Sequence, residues 1–261
     1  MPPDRRLRSI EAIIDTAHRL SDWLVAAPID PDHDSVLPSW SLSTLVAHLG
    51  SVVRSVPAGL ARPTKDKAVP LVRYFDLFSR AGAVVDDRER ARYAELGWPG
   101  VRDDITVAAD ELAALVADTD LPDRVAVLGG PLRTTDLVAL RLADLVVHAD
   151  DLSRSVPQQP PVELGRPALT ITTKLYADGL AARHPGHSVE VRIPPYAAVQ
   201  CGVPGEGPTH TRGTPPNVIE TDFTTFLRLA SGRMGWDEAV SSHAVHASGA
   251  RADLSGLLPL W

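Results

Sequence analysis

A short stretch near the middle of the chain, RLADLVVHADD at residues 141–151, contains three side chains whose types and spacing could support chemistry. Asp144, His148 and Asp151 are four and three residues apart, so a helix would present all three on one face. A carboxylate and an imidazole one helical turn apart can bind the same divalent metal ion. The same spacing also fits a simple hydrogen bond in a structural helix, so both interpretations stay open on spacing alone.

The neighbours of this face favour burial. Leu137 and Leu140 continue the stripe toward the N-terminus, so Asp144 and His148 should pack inside the protein. A buried carboxylate is costly unless it is paired, hydrogen-bonded or metal-bound. A third metal ligand would have to come from another segment, and His48, in WSLSTLVAHLG, is the best candidate.

Helices must position these residues, and helical periodicity dominates the first part of the chain. Trp40 and Leu45 should anchor the start of the helix that carries His48. GWPG at 97–100 should break a helix, and LGGP at 128–131 should form a turn. The predicted helices, with their expected caps or breakers, span about residues 4–27 (Asp4 cap, ended by Pro28), 41 to near Pro57 and Gly59 (Ser41 cap), 71–95, 103–118 and from Thr134 or Thr135 to Ser155. Without a strand pattern between them, these helices predict an antiparallel helix bundle.

The composition changes at VPQQPPVELGRP, residues 156–167, which we interpret as a linker. We therefore predict one domain at 1–156 and a second at 157–261. We predict that the second domain is a small α+β domain. Its expected elements are a helix at 166–184, a strand at 189–193, a helix capped near Thr221 or Asp222, and a last strand in HAVHASG. The Gly/Pro loop GEGPTHTRG at 205–213 lacks the lysine of a phosphate-binding loop, so a hairpin connection is expected there.

Bulk properties exclude several classes of protein. A net charge of −7 argues against nucleic-acid binding. No apolar window approaches the roughly 20 residues that a membrane helix needs, and no signal-peptide core is evident. The single cysteine, Cys201, excludes an internal disulfide and favours a reducing, cytoplasmic location. We expect its thiol to be buried rather than nucleophilic.

Two segments, from Trp40 to His48 and the stretch at 141–152, resemble the metal-binding signature of the DinB-like, mycothiol-dependent maleylpyruvate isomerase family. That family has a Trp followed by a hydroxyl cap, a His eight residues after the Trp, and Glu-x-x-x-His-x-x-Asp on the fourth bundle helix. The resemblance implies a divalent metal, usually zinc, bound by His48, Asp144 and His148, with Asp151 orienting the second imidazole. This chain departs from the pattern at Asp144, where the family has Glu.

The resemblance also implies a reaction. Mycothiol, or a similar low-molecular-weight thiol, would be activated at the metal and added to a small electrophilic substrate. The family fold is a DinB-like four-helix bundle followed by a small α/β domain, which makes the expected fold class α + α/β with two domains.

The C-terminal portion, from TDFTTFLRLASGR onward, resembles sterol-carrier-like domains, and actinobacterial sterol carrier family proteins join such a domain to the bundle. This resemblance implies a tunnel for lipids, or a role as a lid or homodimerisation surface. Since the family uses a second-domain Arg near its site, Arg212 and Arg233 are candidate catalytic residues. His210, beside Arg212, could also meet an anionic substrate.

Three functions follow from these patterns. The favoured one is a metal-dependent, thiol-using transferase or isomerase. The second is a non-catalytic carrier of a lipid or sterol-like ligand, which the C-terminal resemblance suggests. The third is a scaffold that kept the bundle and has a degraded metal site, for which Asp144 is the main argument.

Overall fold

Four long helices make up most of the first of two compact units, which comprises Met1–Val69 and Arg80–Ala168. The structure is a computed structural model that describes residues 4–26, 29–78, 82–118, 120–211 and 213–260. In chain order, the helices up to residue 155 are α1 (Arg5–Ala26), α2 (Leu42–Leu60), α3 (Val72–Phe78), α4 (Gly82–Ala117) and α5 (Thr134–Ser155). Helices α1 and α2 each pack against α4 and α5, so the predicted four-helix bundle is confirmed. Helix α3 belongs to the second unit.

Local sequence explains where the bundle helices begin. Asp4 accepts a hydrogen bond from the backbone N–H of Arg6, and Ser41 accepts one from that of Thr44, so both expected caps are present.

The cap predicted for α5 is wrong. Arg133 occupies the N-cap position without a side-chain hydrogen bond, and the Thr134 hydroxyl donates to the carbonyl of Pro122 instead. The predicted stop of the first helix at Pro28 lies outside the described residues.

The predicted helix break at GWPG is confirmed. Helix α4 consists of two helical stretches joined by a kink at Gly97, whose φ is 65° and ψ is 176°. A glycine adopts that conformation without a steric penalty, so a second helical stretch can begin directly after the kink. The predicted helix at 71–95 corresponds to α3 followed by the first stretch of α4. Helix α2 ends at Leu60, close to its predicted end near Pro57 and Gly59.

A short β-hairpin that the sequence did not predict precedes α5. Strand β1 (Arg124–Val127) pairs antiparallel with β2 (Gly130–Arg133). The turn expected at LGGP is present, and Gly129 and Gly130 both have positive φ values, 97° and 120°, as a tight turn of this kind requires. The strands have only four residues each, too short for a clear alternating pattern.

The segment predicted to be a linker, 156–167, is bonded to α1. The indole N–H of Trp23 donates to the carbonyl of Pro160 at 2.6 Å, and the side chain of Gln159 donates to the carbonyl of Trp23 at 2.8 Å. Up to Ala168, this segment is part of the first compact unit.

The second unit comprises Pro70–Ser79 and Leu169–Trp261 and contains a four-stranded mixed sheet. Its remaining elements are α6 (Arg166–Arg183), β3 (Val189–Ile193), β4 (Ala197–Cys201), β5 (Val218–Thr221), α7 (Phe223–Ala230), α8 (Trp236–Ser241) and β6 (Val245–Ser248). The strand order is β4-β3-β5-β6, with β3 and β5 parallel and the other pairs antiparallel. The predicted small α+β domain is therefore confirmed.

A hairpin was predicted for the loop that contains GEGPTHTRG, and this prediction is wrong. The loop is a crossover connection. It joins β4 to β5, and β3 lies between these two strands in the sheet. The helix expected after it is capped by Asp222, which accepts from the N–H of Thr225. Among the residues that the structure describes, no helix is both long and apolar enough to cross a membrane.

Candidate metal centre

Two helices of the bundle bring three of the predicted residues to one point. Helix α2 carries His48, and α5 carries Asp144 and His148. Oδ1 of Asp144 lies 3.6 Å from Nε2 of His48 and 3.4 Å from Nε2 of His148. One donor atom from each residue lies within 4.8 Å of the other two. This convergence is the geometry that a shared metal ion requires.

The site lies inside the bundle but keeps some access to solvent. The side chains of His48 and His148 are 8% and 10% exposed, and that of Asp144 is 21% exposed. The neighbours of His48 on the same face of α2, Leu45 and Val52, are both buried. Helix α2 thus turns His48 inward because apolar residues on the same face pack into the bundle core.

Asp151 contacts the imidazole of His148, as predicted. Its Oδ2 lies 3.0 Å from Nδ1 of His148, and its Oδ1 accepts a hydrogen bond of 2.8 Å from Arg154. The Asp151 side chain is fully buried. Because a carboxylate can only accept, Nδ1 of His148 donates to Asp151, and Nε2 faces Asp144.

A second buried carboxylate, which the sequence did not reveal, performs the same task for His48. Oε1 of Glu89 lies 3.5 Å from Nδ1 of His48, and Oε2 accepts a 2.7 Å hydrogen bond from the hydroxyl of Ser51. Glu89 is fully buried although it lies in a run of charged residues, DDRERARYAE. Such a run is typical of a solvated helix face, so only the packing of α4 against α2 identifies Glu89.

Trp40 covers the two imidazoles rather than anchoring the core. Its ring stacks on that of His148, with centroids 5.9 Å apart and planes at 18°, and meets the ring of His48 edge-on at 5.3 Å. Trp40 is half-buried, whereas Leu45 is fully buried, so only the second of the two predicted anchors lies in the core.

Hydrogen bonds oppose the effect of burial on the pKa values of Asp144 and His148. Burial alone would raise the pKa of the Asp144 carboxyl, but hydrogen bonds with His148 and His48 hold it well below its usual range. Burial alone would lower the pKa of His148, but hydrogen bonds with Asp144 and Asp151 raise it to about 9. The two carboxylates beside His148 therefore favour its charged form.

The donor set suits a divalent metal ion, and zinc distances give a scale for comparison. Zinc takes imidazole nitrogen and carboxylate oxygen at about 2.0–2.1 Å, which places tetrahedral ligand atoms about 3.3 Å apart. The separations of 3.4 Å and 3.6 Å are close to that value. The same contacts also describe a buried ion pair without metal, which is the structural alternative to ligation.

The other candidate residues that the structure describes belong to the second unit. Arg212 lies outside the described residues. Arg233 is half-buried and donates to the carbonyl of Ser231 at 2.8 Å. His210 is held within the second unit, with its Nε2 3.4 Å from Oε2 of Glu190.

Comparisons with known proteins agree with both resemblances. Residues 14–153 match the family model described as the mycothiol maleylpyruvate isomerase N-terminal domain, and residues 165–260 match one described as a bacterial SCP ortholog. No curated protein matches the sequence.

The solved structures that are similar to the chain include two of mycothiol-dependent maleylpyruvate isomerase. One is a mycothiol-dependent maleylpyruvate isomerase, 15% identical, with a TM-score of 0.57. The other is a histidine-to-alanine mutant of mycothiol-dependent maleylpyruvate isomerase, 14% identical, with a TM-score of 0.58. Each match covers 93% of this chain and 92% of the other, and at such identities it shows a shared fold. Because the first family model spans more than half of the chain, the protein belongs to the family that carries the mycothiol maleylpyruvate isomerase N-terminal domain.

Proposed function

We propose that this protein binds one divalent metal ion, with zinc the expected ion, through His48, Asp144 and His148. With it, the protein would act as a thiol-dependent transferase or isomerase on a small electrophilic substrate. The observation that carries this proposal is the convergence of three donor atoms within 4.8 Å inside the bundle. Family membership supports mycothiol, or a related low-molecular-weight thiol, as the second cofactor.

The residues around the site prepare it for this role. Glu89 and Asp151 hold the Nδ1 atoms of the two imidazoles, which leaves both Nε2 atoms directed at Asp144. Trp40 shields the two rings on one side. A bound divalent ion would supply a lowered pKa for a coordinated thiol, so that a thiolate nucleophile exists at neutral pH.

Two residues are proposed for binding the substrate. Arg212 and Arg233 are the guanidinium groups that we assign to an anionic group of the substrate. The support for them is the family resemblance and the preference of guanidinium for carboxylates.

Metal analysis of the purified protein tests the proposal. We expect near-stoichiometric metal after growth with added zinc and only trace metal in His148→Ala, because the variant loses a donor atom. His18→Ala is the matched control, since it removes a histidine whose Nε2 also lies 3.0 Å from an aspartate, Asp110, but on an exposed surface. Trace metal in the wild-type protein would overturn the proposal.

A second candidate is supported by the family model that matches residues 165–260. That model describes a bacterial SCP ortholog, and it supports binding of a lipid or sterol-like ligand as the second candidate function. Displacement of a fluorescent fatty acid tests it. If the metal-free protein binds the fluorescent fatty acid and an unlabelled fatty acid displaces it, the carrier function is favoured. Absence of binding at tens of micromolar protein would count against it.

A further inference from the structure

The two carboxylate oxygens of Asp144 have different partners. Oδ1 faces Nε2 of both histidines, whereas Oδ2 accepts a 3.2 Å hydrogen bond from Nη1 of Arg141, one turn earlier on α5. The side chains of Arg141 and Asp144 are 19% and 21% exposed, so this pair is largely shielded from water.

We propose that Arg141 is a positioning residue that restricts Asp144 to binding the metal through Oδ1 alone and so keeps the site four-coordinate. This inference rests on the proposed function. It adds a residue that neither the motif nor the family resemblance singles out.

The chemistry of carboxylate ligands supports this role. A carboxylate can bind a metal through one oxygen or through both. A guanidinium that donates to Oδ2 engages that oxygen in a charge-assisted hydrogen bond, which is strong where water is scarce. Because the carboxylate is planar and rigid, fixing Oδ2 also fixes the direction of Oδ1.

Arg141 completes a set of three supports around the site. The non-ligating atom of each proposed ligand then has a partner: Glu89 for His48, Asp151 for His148, and Arg141 for Asp144. A site with three fixed single-atom donors leaves one tetrahedral position open for a thiol or water. A second oxygen from Asp144 would crowd that position.

Cobalt(II) substitution gives a direct readout of coordination number. We expect the cobalt-loaded wild-type protein to show the intense visible absorption of a tetrahedral site. Arg141→Met keeps an unbranched, flexible stem but removes the guanidinium donors, so the absorption should weaken to that of a five-coordinate site. The ratio of zinc affinity to manganese affinity should also fall by about tenfold, since manganese tolerates higher coordination.

Two further variants separate positioning from general damage. Arg141→Lys keeps a charged donor and should restore most of the tetrahedral absorption. Arg133→Met removes another Arg–Asp pair at α5 with the same i,i+3 spacing, the one with Asp136, and should leave the spectrum unchanged.

The outcomes distinguish failure of the proposed function from failure of the role assigned to Arg141. A wild-type protein that takes up neither cobalt nor zinc overturns the proposed function and this inference with it. A loaded wild-type protein whose spectrum and metal preference are matched by Arg141→Met overturns the role of Arg141 alone.

Discussion

At the scale of single residues, the two imidazoles of the site are fixed by the same device. His48 and His148 come from different helices, and each has a fully buried carboxylate at Nδ1, Glu89 or Asp151. Such partners set the tautomer and the orientation of the ring, and they also make the nitrogen that faces the metal a better donor. The buried acids therefore matter to metal affinity although neither is a proposed ligand.

Glu89→Gln should weaken zinc binding by about 10–100-fold, because a neutral amide orients and polarises the imidazole less well than a carboxylate. Competition with a chromophoric chelator measures this. Glu111→Gln is the control, since Glu111 accepts from Arg54 on an exposed part of the same helix and should bind zinc like the wild type. Equal affinities for the two variants would show that Glu89 has only a packing role.

Asp144→Glu tests whether the shorter acid weakens the site. Oδ1 of Asp144 already lies within 3.6 Å of both Nε2 atoms, so aspartate reaches the common point in this chain. A longer side chain would have to fold back and would lose its bond to Arg141, so we expect zinc affinity to fall. Isothermal titration measures it, and a sharp gain in affinity would instead favour a degraded site in a scaffold protein.

At the scale of elements, the packing of α2 on α4 depends on a glycine. Gly50 faces Asp104, a buried acid that is bound by Arg54 and Arg92 at 2.5 Å each. A Cβ at position 50 would lie 2.4 Å from Oδ2 of Asp104. The two helices that carry His48 and Glu89 can therefore approach closely only because residue 50 has no side chain.

Gly50→Ala should destabilise the fold by about 1–3 kcal/mol, the usual cost of overpacking, and lower the melting temperature. Thermal unfolding followed by circular dichroism measures the change. Gly235→Ala is the control: its φ is −77° and its Cβ would meet open space. If Gly50→Ala melted like the wild type, α2 and α4 would have to adjust to the added methyl group without cost.

Elements with a strong periodic pattern were predictable, and those that depend on tertiary contacts were not. The apolar stripes gave the bundle helices, and the Asp-x-x-x-His spacing gave two of the converging residues. Glu89 was missed because burial of an acid inside a charged run is decided by the helix packed against it. The β1–β2 hairpin was missed because its strands are too short to alternate, whereas the break at GWPG was predictable because its glycine, Gly97, adopts a conformation outside helical geometry.

At the scale of the whole molecule, two family models cover different parts of the chain, residues 14–153 and residues 165–260. Each range falls largely within one compact unit. The three proposed ligands and the residues that support them all lie in the first unit, so the proposed metal binding belongs to that unit by itself. The domain boundary at residue 156 and the roles of Arg212 and Arg233 stay predictions.

Cys201 reports on the second unit. Its thiol is fully buried at the end of β4, and burial raises its pKa to about 11. We expect a disulfide reagent to label it only as fast as that unit opens, with full labelling in denaturant. Rapid labelling of the native protein at mildly alkaline pH would contradict the buried position.

The crossover between β4 and β5 has a kinetic consequence. Strand β3 pairs with its neighbour in sequence, β4, through a short turn, but its parallel partner β5 arrives only after the whole connecting loop has been spanned. Loop closure costs chain entropy before the strand contacts repay it, and a higher contact order slows folding. We therefore expect the helical part of the chain to fold early and the sheet to form later, when the parallel pairing of β3 with β5 is made.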